Sequence, residues 1–124
     1  LKCAGWGSLK PIPDAFVLKQ SEINLIQTAI TEYNNVLKAA ATSKNLAFTD
    51  VNAFLSKAKT GIMYNGIGMN TQFVTGGIFS LDGINLSPRG NALLANEIIN
   101  AINTKYGSSI PQLDATKYRS IIFP

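Results

Sequence analysis

The sequence predicts an α/β domain in which helices pack on a short parallel sheet. Apolar residues recur at helical spacing in two long stretches, and the run Leu46 to Thr49 between them has the length and composition of a buried strand. The hydrophobic fraction is 46% and the mean hydropathy is +0.13. The 124 residues can therefore bury enough apolar surface to fold as one domain or as part of one.

The first predicted helix begins at Ser21, which can cap it, and ends near Ser43 to Asn45. Its apolar face consists of Ile23, Ile26, Ile30, Tyr33, Leu37 and Ala40. We expect this face to pack against another element. Residues 1–20 are predicted to be an arm or linker, because Pro11 and Pro13 disfavour regular structure, and residues 21–124 then form the domain portion.

Two further helices are predicted from their end signals. Asp50 caps a short helix that ends near Gly61 and places Val51, Phe54 and Leu55 on one side. The last helix begins with Ser87 as N-cap and Pro88 at the first helical position, and it ends at Gly107. We expect the face made by Leu94, Ile98 and Ile102 to be buried.

The stretch from Gly61 to Phe79 is rich in glycine and apolar residues and has no helical period. It is predicted to be a loop with hairpin-like strands. Its apolar side chains either line a pocket for an apolar substrate or lie on a core, and the composition is compatible with both. The candidate substrate-binding residues are Phe73, Gly76 and Gly77.

Charge and composition exclude several classes of function. The formal charge of +4 is spread along the chain, whereas a nucleic-acid surface needs clustered Lys and Arg. One Cys and no His leave no basis for a metal site. Gly66-Ile67-Gly68 lacks the third glycine and the helix of a dinucleotide fingerprint, so no cofactor is predicted.

The segment from Phe79 to Gly90 carries the most specific pattern. It resembles the last conserved block of the SGNH (GDSL-type) ester hydrolases, in which an Asp precedes a His by three residues at the entry to the C-terminal helix. Asp82, Gly83, Ser87 and Gly90 fit that block. The resemblance implies the C-terminal part of a flavodoxin-like, three-layer domain, export to the periplasm, outer membrane or exterior, and Asp82 as the carboxylate that orients the catalytic base.

The base itself is missing, because the position of the family's His is occupied by Asn85. An amide does not titrate near neutral pH, and the chain contains no His that a shifted alignment could supply. Ser8, in Gly5-Trp6-Gly7-Ser8-Leu9, is better interpreted as a polar linker residue than as the nucleophile, since no buried strand precedes it. We expect this chain alone to be inactive.

Three interpretations follow from the sequence. The chain is a piece of an ester hydrolase completed by an upstream segment or by another copy of the chain, and its start without Met is expected of a processed or truncated product. Alternatively, it is a non-catalytic module that binds an ester or lipid-like small molecule. In the third interpretation it is an unrelated small α/β domain in which the Asp-Gly turn is coincidental.

Overall fold

The computed structural model describes residues 5–121. Three α-helices, two strands and two short 3-10 turns succeed one another: Asp14–Phe16 (3-10), α1 (Gln20–Ser43), α2 (Val51–Thr60), β1 (Ile62–Tyr64), β2 (Ile67–Met69), α3 (Pro88–Tyr106) and Ala115–Lys117 (3-10). The chain divides into two compact units, one up to Ala39 and one from Ala40. The boundary predicted after residue 20 stays a prediction.

The prediction of a flavodoxin-like, three-layer α/β fold with helices on a parallel sheet is wrong. The sheet that residues 5–121 form is a two-stranded antiparallel hairpin, with Ile62 opposite Met69 and Tyr64 opposite Ile67. The turn Asn65-Gly66 joins the strands with φ angles of 47° and 80°, which suit a tight hairpin. Helices therefore dominate the described chain.

This error originates in the strand that the sequence predicts at residues 46–49. The segment belongs to no β-strand, because its first two main-chain amides bond elsewhere. Leu46 N–H donates to the carbonyl of Ala41 at 2.8 Å, and Ala47 N–H donates to the hydroxyl of Tyr106 at 3.1 Å. A single run of strand-forming residues cannot make a sheet without a second strand beside it.

The first unit contains a tight turn and most of α1. Gly5 carbonyl accepts hydrogen bonds from Leu9 and Lys10 N–H at 2.8 and 3.0 Å, and the rings of Trp6 and Phe16 lie 5.0 Å apart. No residue of α1 is buried. The packing expected for its apolar face is thus not found within the first unit.

The second unit holds a small hydrophobic core between α2, the hairpin and α3. Its buried apolar residues are Phe54, Ala58, Met69, Ile78, Ala92, Leu93 and Ala115. The predicted short helix is confirmed as α2, and the carboxylate of Asp50 accepts the N–H of Ala53 at 2.9 Å as its cap. Phe54 lies in the core, as the sequence indicated.

Both ends of α3 are confirmed, but its buried face is not the expected one. Ser87 Oγ accepts Gly90 N–H at 3.0 Å, and Gly107 ends the helix with a φ of 63°. The buried side chains are Ala92, Leu93 and Asn96, whereas Ile98 is 42% exposed. The reason is a polar contact surface on α3 that periodicity of apolar residues does not reveal.

That surface holds the C-terminal segment, which runs back along α3. Asn103 exchanges two hydrogen bonds of 2.9 Å with the main chain of Ile110, and Asn96 does the same with Leu113 at 2.7 and 2.8 Å. Arg89 Nε donates to the carbonyl of Tyr118 at 3.1 Å. These three α3 residues are spaced by seven, so they share one face of the helix. The apolar run Ile121-Ile122-Phe123, which the sequence predicts to be a docked extended segment, reaches beyond the described residues.

Candidate functional site

The candidate site is a hairpin loop immediately before α3. Phe79 and Leu86 form an antiparallel bridge at its base, and Ser80 N–H donates to the carbonyl of Asn85 at 2.8 Å. Gly83 has a φ of 70°, a backbone conformation that favours glycine. We refer to residues 80–85 as the Asp82 turn. Its exposed position follows from this geometry, because the six residues lie beyond the last bridge.

The carboxylate of Asp82 organises this turn. Its Oδ1 accepts the hydroxyl of Ser80 at 2.6 Å and the main-chain N–H groups of Ile84 and Asn85 at 2.9 Å each. Its Oδ2 accepts the side-chain Nδ2–H of Asn85 at 2.6 Å. All the donors come from the turn itself, so Asp82 has a structural role that is independent of any reaction.

These hydrogen bonds hold the pKa of Asp82 well below its usual range. The hydroxyl of Ser80 contributes most, followed by the main-chain N–H of Ile84 and then by the side chain and main chain of Asn85. Each donor favours the charged form. Asp82 is therefore a carboxylate at neutral pH. It can accept hydrogen bonds, but it cannot act as a general acid.

Asn85 lies where the sequence predicts the second member of the pair. Its amide nitrogen faces Oδ2 of Asp82 at 2.6 Å, as the protonated ring nitrogen of a histidine would have to do. The structure thus brings the two predicted residues together. The pair contains an orienting carboxylate and no titratable base, because an amide cannot take the proton of a nucleophile.

The predicted substrate-binding residues have unlike surroundings, and only Phe73 lies at the turn. A Cβ atom on Gly83 would lie 3.2 Å from Cε2 of Phe73, whose side chain is 60% exposed. Gly76 packs tightly against the carbonyl and side chain of Asn70, which leaves no room for a Cβ. Gly77 carbonyl accepts the hydroxyls of Ser87 and Ser120 at 2.7 and 3.0 Å. The two glycines therefore serve packing.

Backbone strain accompanies Phe73. Val74 has a φ of 69°, which is unfavourable for a β-branched residue, and Thr75 N–H donates to the carbonyl of Phe73 at 2.8 Å across it. Such strain is found most often at ligand-contacting segments. Here it lies next to Phe73, whose exposed ring is beside Gly83 of the Asp82 turn.

Two cavities of the second unit lie elsewhere. A groove of about 780 Å³ lies between residues 46–50, α2 and α3, and the ammonium of Lys57 lies 3.9 Å from the carboxylate of Glu97 beside it. A second cavity of about 370 Å³ is lined by Arg89 and residues 116–121. Neither of these two cavities includes Asp82 or Asn85, and both residues of the predicted pair are exposed.

Other predicted features can be located as well. Ser8 is exposed in the first unit, where its hydroxyl donates to the carbonyl of Gly5 at 3.3 Å, and no histidine is present to activate it. Across residues 5–121, His, Cys, Asp and Glu form no group of three or more that could hold a metal ion. In the same range, no helix has the length and apolar character needed to cross a bilayer.

Sequence reasoning missed the cationic residues around the second cavity. Arg89 is near the start of α3, whereas Lys117 and Arg119 follow it by almost thirty residues. Folding of the C-terminal segment along α3 brings the three together. The only local signal is the pair Lys117-x-Arg119, which is too short to indicate a basic surface by itself.

Comparison with known proteins does not identify a family. The chain matches no protein-family model, no curated protein and no solved structure. The resemblance to the SGNH hydrolases therefore stays a prediction from the sequence.

Proposed function

We propose that this chain is a segment of an ester-hydrolase-like protein of SGNH type and that it does not hydrolyse esters by itself. The observation that carries the proposal is the 2.6 Å hydrogen bond from Asn85 Nδ2 to Asp82 Oδ2. The side chain at position 85 thus has the orientation that a catalytic base would need, but it is an amide and cannot act as that base. The upstream segment or another copy would have to supply the nucleophile.

Hydrolysis of short-chain p-nitrophenyl esters by the purified chain tests this proposal. We expect release of p-nitrophenol at the rate of a denatured sample of the same chain, because the chain has no histidine to act as the general base for a serine. Saturable turnover that disappears in Ser8→Ala or Ser80→Ala would contradict the proposal. Circular dichroism of each variant ensures that lost turnover does not reflect unfolding.

A second candidate function is non-catalytic binding of an ester or lipid-like small molecule. It is favoured by the apolar side chains around the Asp82 turn, since Phe73, Leu81 and Ile84 are 60, 66 and 80% exposed. Large exposed apolar side chains close together are typical of interaction surfaces. The carboxylate of Asp82 is already occupied by donors of its own turn, so binding here would depend on apolar contact rather than on that charge.

Titration with methyl butyrate, followed by NMR shifts of the methyl groups, distinguishes the second function from the first. Binding predicts saturable shifts at Leu81 and Ile84, and the shift at Ile84 should be lost in Leu81→Ser and kept in Leu25→Ser. Leu25 is the matched control because it is 71% exposed on α1. Equal effects of the two substitutions, or shifts that grow linearly with ester, would exclude a specific site.

A further inference from the structure

The second cavity is a positively charged recess of the second unit. Its volume is about 370 Å³, and it is lined by Arg89, Thr116, Lys117, Tyr118, Arg119, Ser120 and Ile121. Three of these seven residues are cationic and none is acidic. We propose that this recess, the Arg89 cavity, binds a phosphate-like oxyanion. The proposal is independent of the Asp82 turn and of ester chemistry.

Arg89 provides the best-positioned donor. Its main-chain N–H and its Nε–H each donate at 3.1 Å, to the carbonyls of Arg119 and Tyr118 respectively, so the half-buried side chain is held against the C-terminal segment. Its two terminal amino groups have no hydrogen-bond partner within residues 5–121. A guanidinium held in this way can present a planar pair of donors to an oxyanion at little further entropic cost.

Lys117 and Arg119 add charge at the same recess. Both side chains are exposed and end in donors only, so they can approach an anion but cannot accept from a neutral ligand. The hydroxyl groups of Thr116 and Ser120 already donate, to Asp114 at 2.6 Å and to Gly77 at 3.0 Å. The recess therefore offers cations rather than a mixed polar lining.

The acidic residue of this segment does not neutralise the recess. Asp114 accepts the main-chain N–H and the hydroxyl of Thr116 at 3.0 and 2.6 Å, and these bonds, with a smaller contribution from the charge of Lys117, lower its pKa. A small anion with one or two charges would offset part of the positive charge of Arg89, Lys117 and Arg119.

Titration with inorganic phosphate, followed by amide NMR shifts, tests the site. We expect saturable shifts at residues 89 and 116–121, and binding weakened roughly fivefold by Arg119→Gln because one charge contact is lost. Lys59→Gln is the matched control, since it removes an exposed lysine outside the cavity lining. Arg119→Gln leaves the two hydrogen bonds of Arg89 in place, so the fold should persist, and thermal unfolding verifies this.

A phosphate group can come from a soluble molecule or from a lipid headgroup, and vesicles separate these sources. Sedimentation with phosphatidylcholine vesicles that contain phosphatidic acid, lost in Arg119→Gln, would assign a headgroup. Binding of inorganic phosphate without sedimentation would assign a soluble anion. Failure to bind either probe, or equal weakening by Arg119→Gln and Lys59→Gln, would overturn the proposal.

Discussion

Asp82 accepts four hydrogen bonds from three residues of its own turn, although it is exposed to solvent. A carboxylate in this arrangement stabilises the loop only while it is ionised, because a protonated oxygen loses part of its acceptor capacity. The residue therefore links the shape of the turn to pH.

We expect the contribution of Asp82 to stability to depend on pH. Its folded-state pKa is lowered, so the stabilisation is complete above the unfolded-state pKa of about 4 and is lost as the pH falls from there towards the folded-state value. Melting temperatures of the wild type and Asp82→Asn should differ at pH 6 and converge towards pH 2. Glu32→Gln, on the exposed surface of α1, is the control. A difference that is constant with pH would show that the charge of Asp82 does not support the turn.

Two asparagines of α3 hold the C-terminal segment that runs back along this helix. Asn96 is buried and uses both halves of its amide on the main chain of Leu113. Asn103 makes the same pair of bonds to Ile110 at a more exposed position. The two side chains substitute for a neighbouring strand by satisfying main-chain groups of the segment.

Asn96→Ala should lower the free energy of unfolding by about 2–3 kcal/mol, because it leaves the partly buried N–H and carbonyl of Leu113 with fewer partners. Asn103→Ala is the matched comparison and should cost about 1 kcal/mol, since water can replace its bonds. Urea denaturation measures both. Equal effects of the two substitutions would contradict the assigned difference in burial.

End signals made the helices of the second unit predictable from sequence. Ser87 with Pro88 and Gly107 define α3 because capping depends on neighbouring residues only. The conformation of residues 46–49 was not predictable in the same way, since strand formation depends on a distant pairing partner. The buried face of α3 was also missed, because Asn96 is polar and its burial depends on Leu113 folding back.

The candidate site, like the fold, was predictable from the sequence only where it depends on neighbouring residues. The spacing of Asp82 and Asn85 on a turn before a helix indicated that they meet, and they do at 2.6 Å. The role of Phe73 beside Gly83 could only be guessed from composition. The grouping of Arg89 with Lys117 and Arg119 depends on a chain reversal that no local pattern encodes.

At the scale of the whole molecule, α1 and α3 are stabilised differently. Four residues of α3 are buried, whereas none of α1 is. An unpacked helix in water is marginal even when its propensity is good. Large apolar side chains such as Leu25 and Val36, 71 and 67% exposed, remain available for burial by something else.

Hydrogen exchange at low concentration should therefore give much less protection for amides in the middle of α1 than for those in the middle of α3. We expect the difference to reach at least about tenfold, as helix formation in α1 lacks tertiary support. Equal protection that falls on dilution would mean that another copy covers α1. Equal protection at every concentration would contradict the exposure of α1.

The central claim is that the Asp82 turn positions residue 85 as the partner of a carboxylate and that this position lacks a titratable base. The imidazole pKa in Asn85→His, measured by NMR, tests it most directly, because this histidine would be the only one in the chain. A carboxylate at hydrogen-bond distance should raise that pKa by roughly one unit above its usual value of about 6.5, and the double variant Asp82→Asn/Asn85→His should return it. An imidazole that titrates at its usual value in both variants would contradict the claim.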